Sequence, residues 1–182
     1  IHHTVKSVIE LFTAKADEKQ IKFTFSIDNK LPKVCKTDPL RLRQILSNLL
    51  GNAIKFTNVD CSVELSVKMD KDTNEIYFSV KDDGIGISKE YKKTIFEAFT
   101  QENETTTRNY GGTGLGLSIS HKLSIFLGGE LKVKSEMGSG SEFYFTVPAD
   151  CLDEDSALDM IVKESESKDT DFENKHIIRY NH

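Results

Sequence analysis

The strongest constraint on what this chain of 182 residues can fold into is an amphipathic helix predicted over residues 39–56. Asp38 is a typical N-cap residue and Pro39 a typical first helical residue. Apolar residues recur at helical spacing and form one stripe, namely Leu42, Ile45, Leu46, Leu49, Leu50 and Ala53. Polar residues fall within a narrow sector beside it, namely Arg41, Gln44, Asn48, Asn52 and Lys55. Such a helix packs its stripe on other elements and leaves the polar row at the edge.

This polar row carries residue types that bind ions. Asn48 and Asn52 are one turn apart, so their amide oxygens can face one point, and a hard cation takes oxygen ligands. Lys55 continues the row with a positive charge suited to a phosphate. The alternative is the solvated edge of an amphipathic helix, and the helix alone leaves both interpretations open.

The other periodic segments predict a two-layer fold. Alternation of apolar and polar residues predicts strands over residues 21–27, 61–69, 75–80, 130–135 and 142–147. Helical spacing predicts further helices over residues 3–19, 88–96 and 113–127. We therefore expect an α+β sandwich, in which three main helices cover one face of a mixed, mostly antiparallel sheet.

A glycine-rich segment, Asp82-Asp83-Gly84-Ile85-Gly86, follows the strand predicted to end at Val80. Glycines allow the backbone to approach a ligand closely. A carboxylate at the end of a strand can accept a hydrogen bond from the exocyclic amine of adenine, whereas the carbonyl of guanine would leave it unpaired. A glycine-rich turn with a solvated aspartate is the alternative.

A second glycine-rich segment, residues 111–117, opens a predicted helix. Backbone N–H groups and the helix dipole at such a position favour an anion, although a flexible hinge is the alternative. No lysine follows and the spacing differs, so neither the P-loop nor the Rossmann pattern applies. Residues 97–112 before it are polar and aperiodic, with Phe96 and Phe99 at their base as core anchors or as anchors of a mobile flap.

Charge divides the chain into two parts. Residues 150–182 contain ten acidic and four basic residues, a net charge of −6, and residues 1–149 contain nineteen acidic and twenty basic residues, a net charge of +1. We expect a globular domain over residues 1–149 and an acidic, flexible tail or linker over residues 150–182. Nucleic acid is not an expected partner, because its binding needs a basic face.

Cysteine content and hydropathy favour a cytoplasmic location. Cys35, Cys61 and Cys151 are widely spaced and odd in number, which predicts reduced thiols. No apolar run approaches the ~18 residues of a membrane-spanning helix, so we expect no membrane insertion of this chain.

The order of these motifs resembles that of sensor histidine kinases. Residues 38–57 resemble their N box, residues 82–86 their G1 box, Phe96-Glu97-Ala98-Phe99 their F box and residues 112–117 their G2 box. Residues 127–148 resemble the closing hairpin of the family. Over residues 4–148 the chain is most similar to the catalytic, ATP-binding domain of hybrid-type histidine kinases, in the GHKL superfamily, and the resemblance implies the Bergerat fold.

The resemblance also implies roles for individual residues. Asn52 would hold Mg²⁺ against the triphosphate of ATP with help from Asn48, and Lys55 would contact phosphate. Asp82 would bind the adenine amine, with the backbone of Gly84, Ile85 and Gly86 against the base. The phosphates would be wrapped by Gly112, Thr113, Gly114, Leu115, Gly116 and Leu117. Residues 97–111, with Phe99 and Arg108, would form a lid over the nucleotide. Thr146 would help to bind the adenine edge.

The implied reaction transfers the γ-phosphoryl group of MgATP to a histidine. Its partners would be a phospho-acceptor histidine hairpin domain and a downstream response-regulator receiver domain. The chain contains no phospho-acceptor box, so the acceptor must lie outside it. Ala98 replaces the proline that usually precedes the last phenylalanine of the F box.

Two other functions remain open on the sequence. Ala98 and the missing acceptor box motivate a non-catalytic ATP-binding sensor or scaffold. A GHKL ATPase is disfavoured, because Asn48 stands where those enzymes place a glutamate general base and an amide cannot take a proton from water.

Overall fold

The five-stranded sheet that the alternation predicts is present in the computed structural model, which describes residues 1–32, 35–100 and 114–150. Its strands are β1 (Lys22–Ile27), β2 (Ser62–Asp70), β3 (Glu75–Asp82), β4 (Lys132–Glu136) and β5 (Gly140–Pro148). They lie in the order β1-β2-β3-β5-β4, with β1 parallel to β2 and the other neighbouring pairs antiparallel. The helices of the described residues are α1 (His2–Glu18), α2 (Pro39–Phe56), the short α3 (Lys89–Lys92) and α4 (Gly116–Phe126).

Helix α2 occupies the centre of the helical layer, and both of its ends are capped. The carboxylate of Asp38 accepts hydrogen bonds from the backbone N–H groups of Leu40 and Arg41, at 3.0 and 3.1 Å. At the other end, the ε-ammonium of Lys19 donates to the carbonyl oxygens of Ile54, Lys55 and Thr57, at 2.6–2.8 Å. Both ends of the polar row are therefore fixed.

The core lies between the helices and one face of the sheet. The apolar stripe of α2 is fully buried, and α1 contributes Val5, Val8, Ile9, Phe12 and Ala16. The rings of Phe78 on β3 and Phe145 on β5 stack with their centroids 4.9 Å apart. Tyr77 precedes Phe78 on β3 and Tyr144 precedes Phe145 on β5, and both tyrosines are only half-buried. This alternation confirms a two-layer α+β sandwich.

Most element boundaries differ from the sequence prediction by a residue or two, and three differences concern the candidate site. Strand β3 continues to Asp82, because Asp82 pairs with Val63 on one side and Ser141 on the other. The helix predicted over residues 88–96 is shorter, since α3 ends at Lys92. Helix α4 begins at Gly116, three residues later than predicted.

Within the described residues, no helix is long and apolar enough to cross a membrane. Of residues 150–182, predicted to be a tail or linker, all but Asp150 lie outside the described residues.

Candidate functional site

Asp82, the last residue of β3, has a buried carboxylate and is only 6% exposed. One carboxylate oxygen accepts a hydrogen bond from the N–H of Gly84 at 2.9 Å, and the N–H of Ser141 also donates to this carboxylate. Burial raises the pKa of Asp82, and the two N–H donors oppose this shift. A buried acceptor held by backbone donors is a typical element of a specific binding site.

The glycines after Asp82 are required by close contacts within the protein. A β-carbon at Gly84 would lie 2.6 Å from the carbonyl oxygen of Phe56. Gly86 has a φ of +70°, and a β-carbon there would overlap the carbonyl oxygen of Glu136. The N–H of Gly138 donates to the carbonyl oxygen of Ile85 at 2.8 Å. Residues 84–86 are therefore clamped between the end of α2 and the β4–β5 turn.

Asn48 joins α2 to α4. Its amide nitrogen donates to the hydroxyl oxygen of Ser120 at 2.9 Å, and a β-carbon at Gly116 would overlap its amide oxygen. The glycine at position 116 thus lets the two helices approach, and Asn48 is oriented by α4. Asn52 is half-buried one turn further along α2, towards Phe56 and the Asp82 loop.

Lys55 lies in the last turn of α2 and is half-buried. Its ε-ammonium is 4.8 Å from the ring centroid of Phe56. Burial lowers the pKa of Lys55, because an apolar environment disfavours the charged form. The part of the chain that the structure describes contains no cluster of three or more His, Cys, Asp or Glu placed to hold a metal ion. A cation here would therefore depend on amide oxygens and on its ligand.

Described residues on either side of residues 101–113 are hydrogen-bonded to each other and to α3. The N–H of Phe99 donates to the carbonyl oxygen of Gly114 at 3.2 Å, and the hydroxyl of Tyr91 donates to the carbonyl oxygen of Thr100 at 3.0 Å. Phe99 and Gly114 both have positive φ, of +64° and +68°. The Phe99 side chain is 76% exposed.

Phe96 and Phe99 differ in their environments. The Phe96 ring stacks on His121 of α4, with centroids 4.9 Å apart, which gives His121 a packing role.

Beside Gly114, Leu115 takes the N-cap position of α4 and offers no side-chain acceptor to its first N–H groups. The half-buried Leu117 packs against the core. Arg108, Gly112, Thr113 and most of the predicted lid lie outside the described residues.

The structure does not bring Thr146 to this site. Thr146 pairs with Tyr77, and its hydroxyl donates to a carboxylate oxygen of Glu75 at 3.1 Å. On β5 the residue that pairs with Asp82 is Ser141, which precedes Thr146 by five residues and lies about 17 Å from it along the strand.

Ser141, like Ser120, is a residue that the sequence prediction missed. It is 8% exposed, and its hydroxyl oxygen lies 2.9 Å from that of Ser135. The turn at residues 137–140 fixes the pairing of β4 with β5, in which Ser141 faces Ser135, but it does not fix the pairing of β5 with β3 that brings Ser141 beside Asp82.

Comparisons with known proteins agree with this arrangement. Residues 37–150 match the family model described as histidine kinase-, DNA gyrase B-, and HSP90-like ATPase. The chain is 42% identical over 143 residues to hybrid signal transduction histidine kinase B of Dictyostelium discoideum, covering 77% of this chain and 7% of that protein.

Two solved structures are similar over most of the described fold. Full-length ShkA in complex with AMPPNP has 38% sequence identity and a TM-score of 0.71, covering 82% of this chain and 30% of that chain. Histidine kinase ThkA in complex with the response regulator protein TrrA has 27% identity and a TM-score of 0.66, covering 82% and 40%. This chain thus spans less than half the length of each of these proteins. The family match shows that the chain belongs to the GHKL superfamily, and its relatives place it with the catalytic domains of histidine kinases.

Proposed function

We propose that this domain binds MgATP and transfers its γ-phosphoryl group to a histidine on a separate phospho-acceptor hairpin, from which a response-regulator receiver domain takes it. The observation that carries the proposal is the buried Asp82 carboxylate, which backbone N–H groups hold next to the C-terminal end of α2, where the polar row ends. Support comes from the similarity to ShkA in its AMPPNP complex and to ThkA in its complex with a response regulator. A cytoplasmic location follows from the same proposal, because ATP and receiver domains are found there.

Asp82, Gly84, Gly86 and Ser141 form what we call the base end of the site. The Asp82 carboxylate would accept the exocyclic N–H of adenine, and the exposed Ile85 would contact the base. Guanine presents a carbonyl at the same position, so two acceptors would face each other and the buried carboxylate would stay unpaired. The geometry therefore favours ATP over GTP.

Asn48, Asn52, Gly114, Gly116 and Ser120 form what we call the phosphate end. The first backbone N–H groups of α4 and the ammonium of Lys55 would attract phosphate oxygens. Asn52 would hold Mg²⁺ through its amide oxygen, and Asn48, oriented by Ser120, would assist. The amide donor set fits a magnesium ion whose other ligands are phosphate and water oxygens, and such an ion neutralises phosphate charge.

Asn48 also favours a kinase over an ATPase. Its amide cannot remove a proton from water, and its nitrogen already donates to Ser120. The chain would therefore position the nucleotide and exclude efficient hydrolysis, leaving the γ-phosphoryl group for an incoming imidazole.

Calorimetric titration with MgATP and MgGTP tests the site. We expect ATP to bind more tightly than GTP, and Asp82→Asn to lower ATP affinity by about 10- to 100-fold, because it replaces a charged acceptor by an amide. Asp83→Asn is the matched control, since Asp83 is exposed and its carboxylate pairs with Ser62. Equal ATP affinity of the wild type and Asp82→Asn would contradict the assignment of Asp82.

Phosphotransfer is tested by mixing the domain with radiolabelled MgATP and purified acceptor hairpins of related kinases. Acid-labile phosphohistidine on the hairpin is the expected product. Tight nucleotide binding without transfer to any hairpin would favour the sensor alternative, and steady phosphate release by the domain alone would favour an ATPase.

A further inference from the structure

One side chain of α1 reaches the C-terminal end of α2. The ε-ammonium of Lys19 donates to the carbonyl oxygen of Ile54 at 2.6 Å and to those of Lys55 and Thr57 at 2.8 Å. The last carbonyl groups of a helix have no donor within the helix, and an ammonium has three N–H bonds to offer. Hydrogen bonds with a charged donor are roughly twice as strong as neutral ones. Lys19 therefore closes the last turn of α2.

The half-buried Lys19 side chain starts from a fixed point of the backbone. Its own N–H donates to the carbonyl oxygen of Ala16 at 3.1 Å, at the end of α1. The carbonyl oxygen of the next residue, Gln20, accepts from the N–H of Asp60 at 2.9 Å. The backbone around Lys19 is thus tied both to α1 and to the segment after α2, and it presents the ammonium to the end of α2 in a defined place.

The carbonyl group of Phe56 faces the base end of the site. Phe56 lies in the chain between two of the residues whose carbonyl groups Lys19 binds. Its own carbonyl oxygen accepts from the N–H of Ile85 at 3.4 Å, and it would lie 2.6 Å from a β-carbon at Gly84. Because peptide groups are planar, holding the carbonyl groups on both sides limits how far the Phe56 carbonyl can turn. The position of residues 84–86 against α2 therefore depends on Lys19.

We propose that Lys19 is a positioning residue for the nucleotide base and acts through the Phe56 carbonyl on residues 84–86, an inference that rests on the proposed function. Without the ammonium, three carbonyl groups would need other donors and the last turn of α2 would loosen. Residues 84–86 would then lose their fixed contact with α2, and the adjoining Asp82 carboxylate would meet the adenine amine less well, because binding depends on such alignment.

This position predicts a loss of affinity that does not depend on the phosphates of the ligand. The hydrogen bond from Asn48 to Ser120 orients the phosphate end, and Asn48 lies about two helical turns before Phe56. Lys19→Met should therefore weaken the binding of adenosine, ADP and MgATP by one common factor of about 3- to 30-fold. A variant that only lowered the stability of the whole domain would leave the affinity of the folded protein unchanged.

Titration of the full 182-residue chain measures this factor, by calorimetry with ADP and MgATP and by NMR with adenosine. Each variant is titrated at a temperature at which circular dichroism shows it to be folded. Lys15→Met is the matched control and should bind like the wild type, because Lys15 is an exposed lysine of the same helix with its ammonium over the Phe12 ring.

Two further variants separate the hydrogen bonds of Lys19 from its bulk. Lys19→Arg keeps a charged group with several N–H donors and should bind each ligand within about threefold of the wild type. Lys19→Gln keeps two N–H donors without the charge, so its affinities should lie between those of Lys19→Arg and Lys19→Met. It replaces Lys19→Met if the latter does not fold.

Amide hydrogen exchange followed by NMR provides a second readout that needs no nucleotide. The N–H groups of Gly84 and Ile85 should exchange at least about 10-fold faster in Lys19→Met than in the wild type. The N–H of Leu131, which donates to the Ser124 hydroxyl at 2.9 Å, should keep its wild-type rate.

Two results for Lys19→Met would each overturn the proposal, namely unchanged affinities and unchanged exchange at Gly84 and Ile85. A loss confined to MgATP would overturn it as well, since the effect of Lys19 would then lie at the phosphate end. If the wild type bound none of the three ligands, the proposed function itself would be wrong, and this inference with it.

Discussion

The two ends of the candidate site are held by different kinds of contact. At the base end, Asp82 and Ser141 are paired across neighbouring strands. The backbone carbonyl oxygens of Phe56 and Glu136 lie so near Gly84 and Gly86 that a β-carbon would not fit there. At the phosphate end, α2 and α4 meet through the side chains of Asn48 and Ser120, 72 residues apart in sequence. Backbone contacts cannot yield by changing a rotamer, whereas an amide side chain can. Glycine substitutions at the base end should therefore affect folding, and glycine substitutions at the phosphate end should affect binding.

Gly86→Ala should show the largest effect of this difference. A β-carbon at residue 86 would overlap the Glu136 carbonyl and would occupy a left-handed backbone conformation, with φ +70°. Backbone strain combined with a backbone overlap should lower the free energy of unfolding by about 2–4 kcal/mol. Urea unfolding followed by circular dichroism measures this loss.

Gly138→Ala is the matched control for Gly86→Ala. Gly138 also has a positive φ, +81°, but among the described residues nothing lies within 4 Å of an added β-carbon. We expect a loss of only about 1–2 kcal/mol, which is the conformational cost alone. Equal losses in the two variants would show that the β4–β5 turn does not clamp residues 84–86.

Gly116→Ala should have a smaller effect on folding and a clear effect on binding. The added β-carbon meets the side-chain amide of Asn48, which can rotate away, and residue 116 is the first residue of α4, where alanine gains only part of its helix-interior advantage of about 1 kcal/mol. The free energy of unfolding should change by less than about 1 kcal/mol, while the bond from Asn48 to Ser120 is lost. Calorimetry should then show weaker MgATP binding.

Ser120→Ala removes the same hydrogen bond without adding a β-carbon next to Asn48, and it should weaken MgATP binding in the same direction. If both variants bind MgATP like the wild type, the orientation of Asn48 by α4 is not needed for the nucleotide. If Gly116→Ala unfolds the domain as strongly as Gly86→Ala, the contrast between the two ends is wrong.

Features that depend on nearby residues were predictable from the sequence. The cap of α2 follows from Asp38 and Pro39, its buried stripe from the spacing of leucines and isoleucines, and the strands from alternation. These patterns reflect residues a few positions apart, which share a helix face or a strand face whatever the rest of the chain does. The α+β class could be predicted for the same reason.

Strand register was not predictable in this way. Asp82 was expected after the strand, and Thr146 was expected near the base, yet pairing extends β3 to Asp82 and brings Ser141 beside it. Register is set by which face the whole sheet buries, and this information is spread over three strands. The contact between Asn48 and Gly116 was missed for a similar reason, because helix–helix approach depends on both partners. Gly84, Gly86 and Gly116 were interpreted as ligand contacts and have packing roles in the structure, while their contact with a ligand stays a prediction.

The two ends of the site should also respond differently to pH, because the base end contains a buried titratable group, Asp82. Burial raises its pKa, so the folded chain holds more protons than the unfolded chain between the unfolded and folded values. The contribution of this carboxyl to the free energy of unfolding therefore decreases as pH rises through that window.

The melting temperature of Asp82→Asn minus that of the wild type should accordingly increase from about pH 3 to about pH 7. The MgATP affinity of the wild type should also increase over this range, because the adenine amine needs the ionised carboxylate and this form is lost as pH falls through the raised pKa. Asp83→Asn controls for the loss of a neighbouring charge. A melting difference for Asp82→Asn that stays constant or decreases with rising pH would mean that the two N–H donors outweigh burial, and that the base end stabilises its carboxylate before the nucleotide arrives.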